Sequence, residues 1–148
     1  GDVYVTSLLS NSVTSFTRSA STGALAQKTG NAGCVVFLRA AGCSLGHALA
    51  APEGLAVAPD GANVYAAAFA SSAVDVLDRN RKSGGLIQKP LRAGCLSPHP
   101  GPDCSSARSL TNVSSIALSP DGRFAYATAF GANAVAVFRR TTSQHQHH

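Results

Sequence analysis

The chain matches itself without a gap when it is shifted by 61 residues. Tyr4, Tyr65 and Tyr126 fall in one column, Val13, Val74 and Val135 in another, and Arg18, Arg79 and Arg140 in a third. Gly23 meets Gly84, Gln27-Lys28 meets Gln88-Lys89, Cys34 meets Cys95, Cys43 meets Cys104, and Pro59-Asp60-Gly61 meets Pro120-Asp121-Gly122. Self-similarity at one fixed offset is the signature of a repeat architecture, in which each unit relies on its neighbours to bury apolar surface.

Four segments of each repeat have strand character. The first is Leu55–Ala58, matching Ile116–Ser119, and the second is Val64–Ala68, matching Val3–Ser7 and Ala125–Ala129. The third is Ala73–Leu77, matching Ser12–Phe16 and Ala134–Phe138, and the fourth is Leu86–Lys89, matching Leu25–Lys28. β-Branched and aromatic residues fill these runs, and Gly, Pro, Asn and Ser bound them. Pro-Asp-Gly between the first two predicts a tight hairpin, because proline presets φ, aspartate bonds nearby backbone and glycine accepts positive φ. Asp60 and Asp121 are therefore turn residues first.

Large residues on one side of a strand and small ones on the other suit sheets buried on both faces. Charged residues make up only 13% of the chain and hydrophobic ones 45%, which fits that arrangement and argues against disorder. With no helical period, the expected class is all-β: a β-propeller of four-stranded antiparallel blades. The repeats divide the chain into residues 1–61, 62–122 and a partial 123–140. Gly1–Tyr4 already reads as strand, like a cut into a longer pattern. The ending Gln144–His148 is tag-like, so residues 141–148 are set aside as a tail.

The stretch Pro52-Glu53-Gly54-Leu55-Ala56-Val57-Ala58-Pro59-Asp60-Gly61-Ala62-Asn63-Val64-Tyr65, with Ser115–Tyr126 in the third repeat, resembles the repeat of YVTN/lactonase-type β-propellers. The likeness covers almost all of the chain outside the cysteine segments. It implies the blade and says little about activity, because this blade serves enzymes, binders and scaffolds alike.

The expected strands number ten: three, then four, then three. A propeller typically has four to eight blades, so ten strands leave edges and blade faces open. The expectation is a ring closed by homo-oligomerisation, as a trimer of two-blade subunits or a dimer that pools its strands, or else a piece of a longer propeller.

Four cysteines permit three pairings. The repeat favours Cys34 with Cys43 and Cys95 with Cys104, since each blade then closes its own loop. Zinc sites usually place paired cysteines two to four residues apart, a closer spacing than the nine found here. Disulfides imply an oxidising, extracytoplasmic or secreted setting. The net charge of +5 comes from scattered residues, with no basic stripe interleaved with aromatics, so nucleic acid is not an expected partner. No apolar run approaches the length of a membrane span, and no membrane partner is expected.

In a propeller the innermost strands line the channel, and the loops at one of their ends gather on one face. Glu53 precedes one such strand and Asn112 lies near the matching start in the next repeat. Asn11, Ser72 and Asn133 occupy equivalent loops between the second and third strands. A carboxylate with amide oxygens suits Ca²⁺ or another hard divalent metal. Calcium-dependent lactonase propellers, which this fold resembles, hold a metal on the axis with such groups. The resemblance thus implies Glu53, Asn112, Asn11 and Asn133 as metal ligands, with Glu53 and His47 as catalytic candidates for a hydrolase of lactones, aryl esters or phosphoesters. The competing reading gives these residues turn and cap roles and makes the chain a non-catalytic scaffold, with or without a small-molecule ligand. Ser114 in place of Glu53 weakens a metal ring drawn from every blade. His47 and His99 do not repeat. Gly42-Cys43-Ser44-Leu45-Gly46 matches G-x-S-x-G, but it lacks the strand-to-helix context that such a nucleophile needs.

Overall fold

Fourteen strands in three sheets follow one another along the chain in the computed structural model, which describes residues 1–38, 42–99 and 101–141. The first sheet holds β1 (Asp2–Ser7), β2 (Ser12–Arg18), β3 (Leu25–Gln27), β4 (Cys34–Val36) and β5 (Ser44–Leu45). The second holds β6 (Pro52–Val57), β7 (Asn63–Ala68), β8 (Ala73–Arg79), β9 (Leu86–Gln88), β10 (Cys95–Ser97) and β11 (Ser105–Ser106). The third holds β12 (Val113–Leu118), β13 (Phe124–Ala129) and β14 (Ala134–Arg139). The expected all-β class holds, and the sheets are blades stacked in sequence order. The tag-like reading of the tail falls mostly on residues 142–148, which lie outside the described residues.

The Pro-Asp-Gly hairpins form as expected. Gly61 and Gly122 both take φ of +74°, and the Gly61 N–H donates to the Ala58 carbonyl at 2.9 Å. Asp60 Oδ1 accepts the Ala62 N–H at 2.9 Å, and Asp121 Oδ1 accepts the Arg123 N–H at 3.0 Å.

Two strands differ from the sequence expectation. The innermost strand starts three residues earlier than Leu55, so Glu53 lies inside β6. Its register against β7 shifts between Pro52 and Gly54, and β12 repeats this between Val113 and Ser115. Glu53 and Ser114 thus occupy matching β-bulges, which re-aim a side chain at a strand end. The expected fourth strand forms at Leu86–Gln88, and a second outer piece that the sequence reading did not include follows it at Cys95–Ser97. Leu86–Gln88 pairs with Leu77–Arg79, while Cys95–Leu96 pairs with Val74–Asp75. Between them runs a 3₁₀ turn, Leu91–Gly94, whose Leu91 has φ of +51°. Gly30 takes +63° at the same place in the first blade. A regular strand has no place for that conformation, so the outer strand breaks and resumes. Beyond it, β11 pairs with β10 in parallel, as β5 does with β4.

The core lies between sheets. Val13, Val35 and Leu49 pack against Val64, Ala66, Leu77 and Leu86. Tyr65, Ala67 and Val74 pack against Ile116, Ala125, Ala127 and Ala136. The small residues let the sheets converge where β6 meets β12. A Cβ on Gly54 would lie 2.7 Å from the Ser114 carbonyl oxygen and 2.8 Å from Ser115 Cα, closer than side chains tolerate.

The disulfides are Cys34–Cys43 and Cys95–Cys104, the pairing that the repeat favours. Each closes a loop spanning nine residues in sequence at the outer edge of its blade. Closing so short a loop restricts the unfolded chain by about 2–3 kcal/mol. Replacing Cys95 and Cys104 together by serine should therefore lower the unfolding free energy by about that amount, measured by urea denaturation against the parent chain.

Candidate functional site

At the inner rim, Glu53 is exposed and no side chain hydrogen-bonds its carboxylate among the described residues; its backbone carbonyl accepts from Thr6 Oγ1 at 3.0 Å. The three loop residues Asn11, Ser72 and Asn133 share one backbone state, with φ of +52°, +51° and +51°. Asparagine tolerates that left-handed conformation better than most residues. Asn11 Oδ1 accepts the Ala51 N–H at 2.8 Å, and Ser72 Oγ accepts the Asn112 N–H at 3.0 Å. One side chain thus holds the start of the next blade's innermost strand, at 61-residue spacing. Asn112 itself has φ of +54°, like Ala51, and its Nδ2 donates to the Phe69 carbonyl at 3.4 Å.

The Asn11 oxygen already accepts a backbone N–H, the asparagines serve turn geometry, and Glu53 is the lone carboxylate of the proposed set. Among the described residues no three His, Cys, Asp or Glu side chains gather in ligand geometry.

His47 is not brought to Glu53. It follows β5 at the outer edge of the sheets, where its half-buried ring places Nε2 2.9 Å from the Leu91 carbonyl oxygen. Facing a carbonyl, that nitrogen carries the proton and donates. The blade's breadth, about 14 Å for three strand spacings, separates the outer edge from β6. His99 is exposed within the second cysteine loop. Ser44 Oγ donates to the Asn31 carbonyl at 3.2 Å, and a strand pair rather than a helix surrounds it.

Two features escape the sequence reading. The first is a buried polar cluster. Gln88 donates to the carbonyls of His47 at 2.9 Å and Gly94 at 2.8 Å and accepts the His47 N–H at 2.8 Å, tying the interblade linker to the outer turn. Asp75, fully buried, receives only a 3.4 Å contact from Gln88 Nε2 on Oδ1, while Oδ2 has no partner. Ser15 Oγ is the other buried polar atom lacking a partner among the described residues. On β8 the side chains alternate, so Asp75 shares the Leu77 face toward the first blade, and Ser15, equivalent to Val76, looks back at the second. Burial pushes the Asp75 carboxyl well above the ordinary carboxylate range, and the Gln88 contact opposes this only weakly. The signal in sequence is an acid in a column otherwise held by Thr14 and Ala136.

The second is a latch between blades. Arg79 of the second blade donates to Tyr4 Oη at 2.8 Å and to Asp2 Oδ2 at 2.6 Å in the first, and Tyr4 Oη donates back to the Gly84 carbonyl at 2.6 Å. Arg140 of the third blade repeats the arrangement on the second. It reaches Tyr65 Oη at 2.6 Å, Asp60 Oδ1 at 2.9 Å and Asn63 Oδ1 at 2.9 Å. Burial alone would raise the Asp2 carboxyl, but hydrogen bonds and charge from Lys28 and Arg79 outweigh it and hold it below its ordinary range. The matching Tyr and Arg columns were legible, but their pairing across 75 residues was not.

A cleft of about 400 Å³ opens between the second and third blades, lined by Tyr65, Val74, Arg92, Leu96, Phe138 and Arg140 among others. At the corresponding place between the first two blades, β9 packs on β4 and β5. The cleft is thus the slot of an outer strand that the third sheet lacks among the described residues.

No family model and no curated protein matches the chain. Solved structures do. Hydrazine synthase of Kuenenia stuttgartiensis is 25% identical with a TM-score of 0.57, over 92% of this chain and 28% of that one. A protein from Lactobacillus plantarum is 25% identical with a TM-score of 0.62, over 90% and 33%. The periplasmic gluconolactonase of Pseudomonas aeruginosa is 19% identical with a TM-score of 0.55, over 88% and 32%. The chain spans about a third of these proteins or less. The likeness to the gluconolactonase bears on the fold alone, which is a β-propeller of antiparallel blades.

Because its folded pKa is raised, Asp75 stays protonated in the folded chain at pH values where the unfolded chain ionises it. Its contribution therefore falls as pH rises above the ordinary carboxyl value of about 4, by up to about 1.4 kcal/mol per pH unit, until the folded pKa is reached. Asp75→Asn should make the chain more stable than the parent at pH 7, with the gain vanishing towards pH 4, as followed by thermal unfolding across that range.

Proposed function

We propose that this chain is a β-propeller interaction module that assembles with copies of itself through the outward faces of its first and third blades, in an oxidising, extracytoplasmic or secreted setting. The supporting observation is the match between exposed and buried members of the same repeat columns. Val135 on the outward face of the third blade is 63% exposed, whereas Val74, its equivalent one blade earlier, is 2% exposed. Leu25 on the outward face of the first blade is 51% exposed, whereas Leu86 is 1% exposed. Contiguous apolar surface of this kind marks a binding face. Each face carries the side chains that its counterpart uses to pack on a neighbouring blade. The two disulfides support the compartment.

A discrete dimer or trimer is the expected result of light scattering on the purified chain at micromolar concentration. A monomer throughout would reject this reading.

A second reading, a divalent-metal-dependent hydrolase of lactones, aryl esters or phosphoesters, draws support from the exposed Glu53 carboxylate on the bulge of an innermost strand. It requires Glu53 from several copies to gather near one axis. Calorimetric titration of the assembled protein with Ca²⁺ should then show binding that Glu53→Ala removes; heat signals unchanged by the substitution would reject the site.

A further inference from the structure

We infer that the module joins head to tail through a third copy of the interblade latch, in which Arg18 of one chain engages Tyr126 and Asp121 of the next. The inference rests on the self-assembly reading above and specifies its contact. Every partner follows from the two latches already closed within the chain. Arg79 binds Tyr4, and Arg140 binds Tyr65 together with Asp60. Moving the second latch forward by 61 residues puts Tyr126 and Asp121 in the acceptor positions. Moving the first latch back by the same step puts Arg18 in the donor position. All three are exposed, and none joins an interblade ion pair or hydrogen bond among the described residues. Asp121 keeps its turn bonds to Ser119 and Arg123, as Asp60 keeps its bond to Ala62 while also binding Arg140. The Tyr126 hydroxyl would donate to the partner chain's Gly23 carbonyl, as Tyr4 does to Gly84.

The surrounding surfaces match as well. Tyr126, Val135 and Val137 stand where Tyr65, Val74 and Val76 pack on the next blade, and Val5 and Leu25 stand where Ala66 and Leu86 pack on the preceding one. Docking these faces displaces no strand, because β1–β2 and β13–β14 are already formed. The contact joins two different surfaces, so it is heterologous and can close only as a ring. One element of the closed latches is missing: Phe124 occupies the column of Asp2 and Asn63, so among the latch positions Arg18 is left with the side-chain oxygens of Asp121 and Tyr126.

The test is sedimentation of the full chain and of charge-swapped variants. Arg18→Glu and Asp121→Arg each set like charges against one another and should raise the dissociation constant at least about tenfold, which corresponds to about 1.4 kcal/mol. The double variant should recover assembly whatever the ring size, and an equal mixture of the two single variants should recover a dimer or any other even-numbered ring, in which they can alternate. Tyr126→Phe, which leaves the Asp121 turn untouched, should weaken assembly several-fold if Asp121→Arg proves unable to fold. A parent chain that assembles while Arg18→Glu and Tyr126→Phe match it would overturn the latch and leave self-assembly standing. A monomeric parent would overturn both.

Discussion

Each blade of this chain is apolar on both faces, and that property governs the rest of the structure. Val74 and Val76 on β8 look toward the third blade while Leu77 looks toward the first, so no blade can be solvated on either side without cost. Packing is therefore blade against blade, and the alanines of β7 and β13 and Gly54 of β6 set how closely the sheets converge. The low charge of the chain follows, because a sheet covered on both faces leaves few positions for solvated side chains.

Polar groups act at the margins of this packing and give it direction. The arginine columns reach backward to the tyrosine of the preceding blade, while Asn11 and Ser72 reach forward to the linker of the following one. A blade is thus held to its neighbour near both ends of its strands. Apolar faces alone permit sliding; fixed donors and acceptors at each rim select one register. Asp75 is an exception inside a face, a buried acid with an oxygen left unpaired.

The functional reading follows from the same constraint. Surfaces that are buried between blades one and two, and again between two and three, stand open on the outward sides of blades one and three. Their chemistry fits a further blade more closely than it fits a small ligand, and the interblade cleft has the character of a strand slot. Glu53 is placed on a bulge at the inner rim, and of the amides expected to join it the Asn11 oxygen accepts a backbone N–H of the next linker.

How far the sequence reached depended on the range of the interaction. Turn chemistry is local, so Pro-Asp-Gly determined both hairpins, and the 61-residue repeat of the cysteine pairs favoured, among three pairings, the disulfides that form. The repeat and the alternation of large and small residues determined the class and the stacking. The split of the outer strand depended on left-handed backbone at Gly30 and Leu91, and leucine gives no hint of that state. Tertiary structure alone decided that His47 lies at the opposite margin from Glu53, that Asn11 and Ser72 support the next linker, and that arginine and tyrosine columns 75 residues apart meet. The reason is geometric: a period specifies which residues are equivalent, whereas contact depends on how one blade is rotated onto the next, and that angle arises only when the sheets pack.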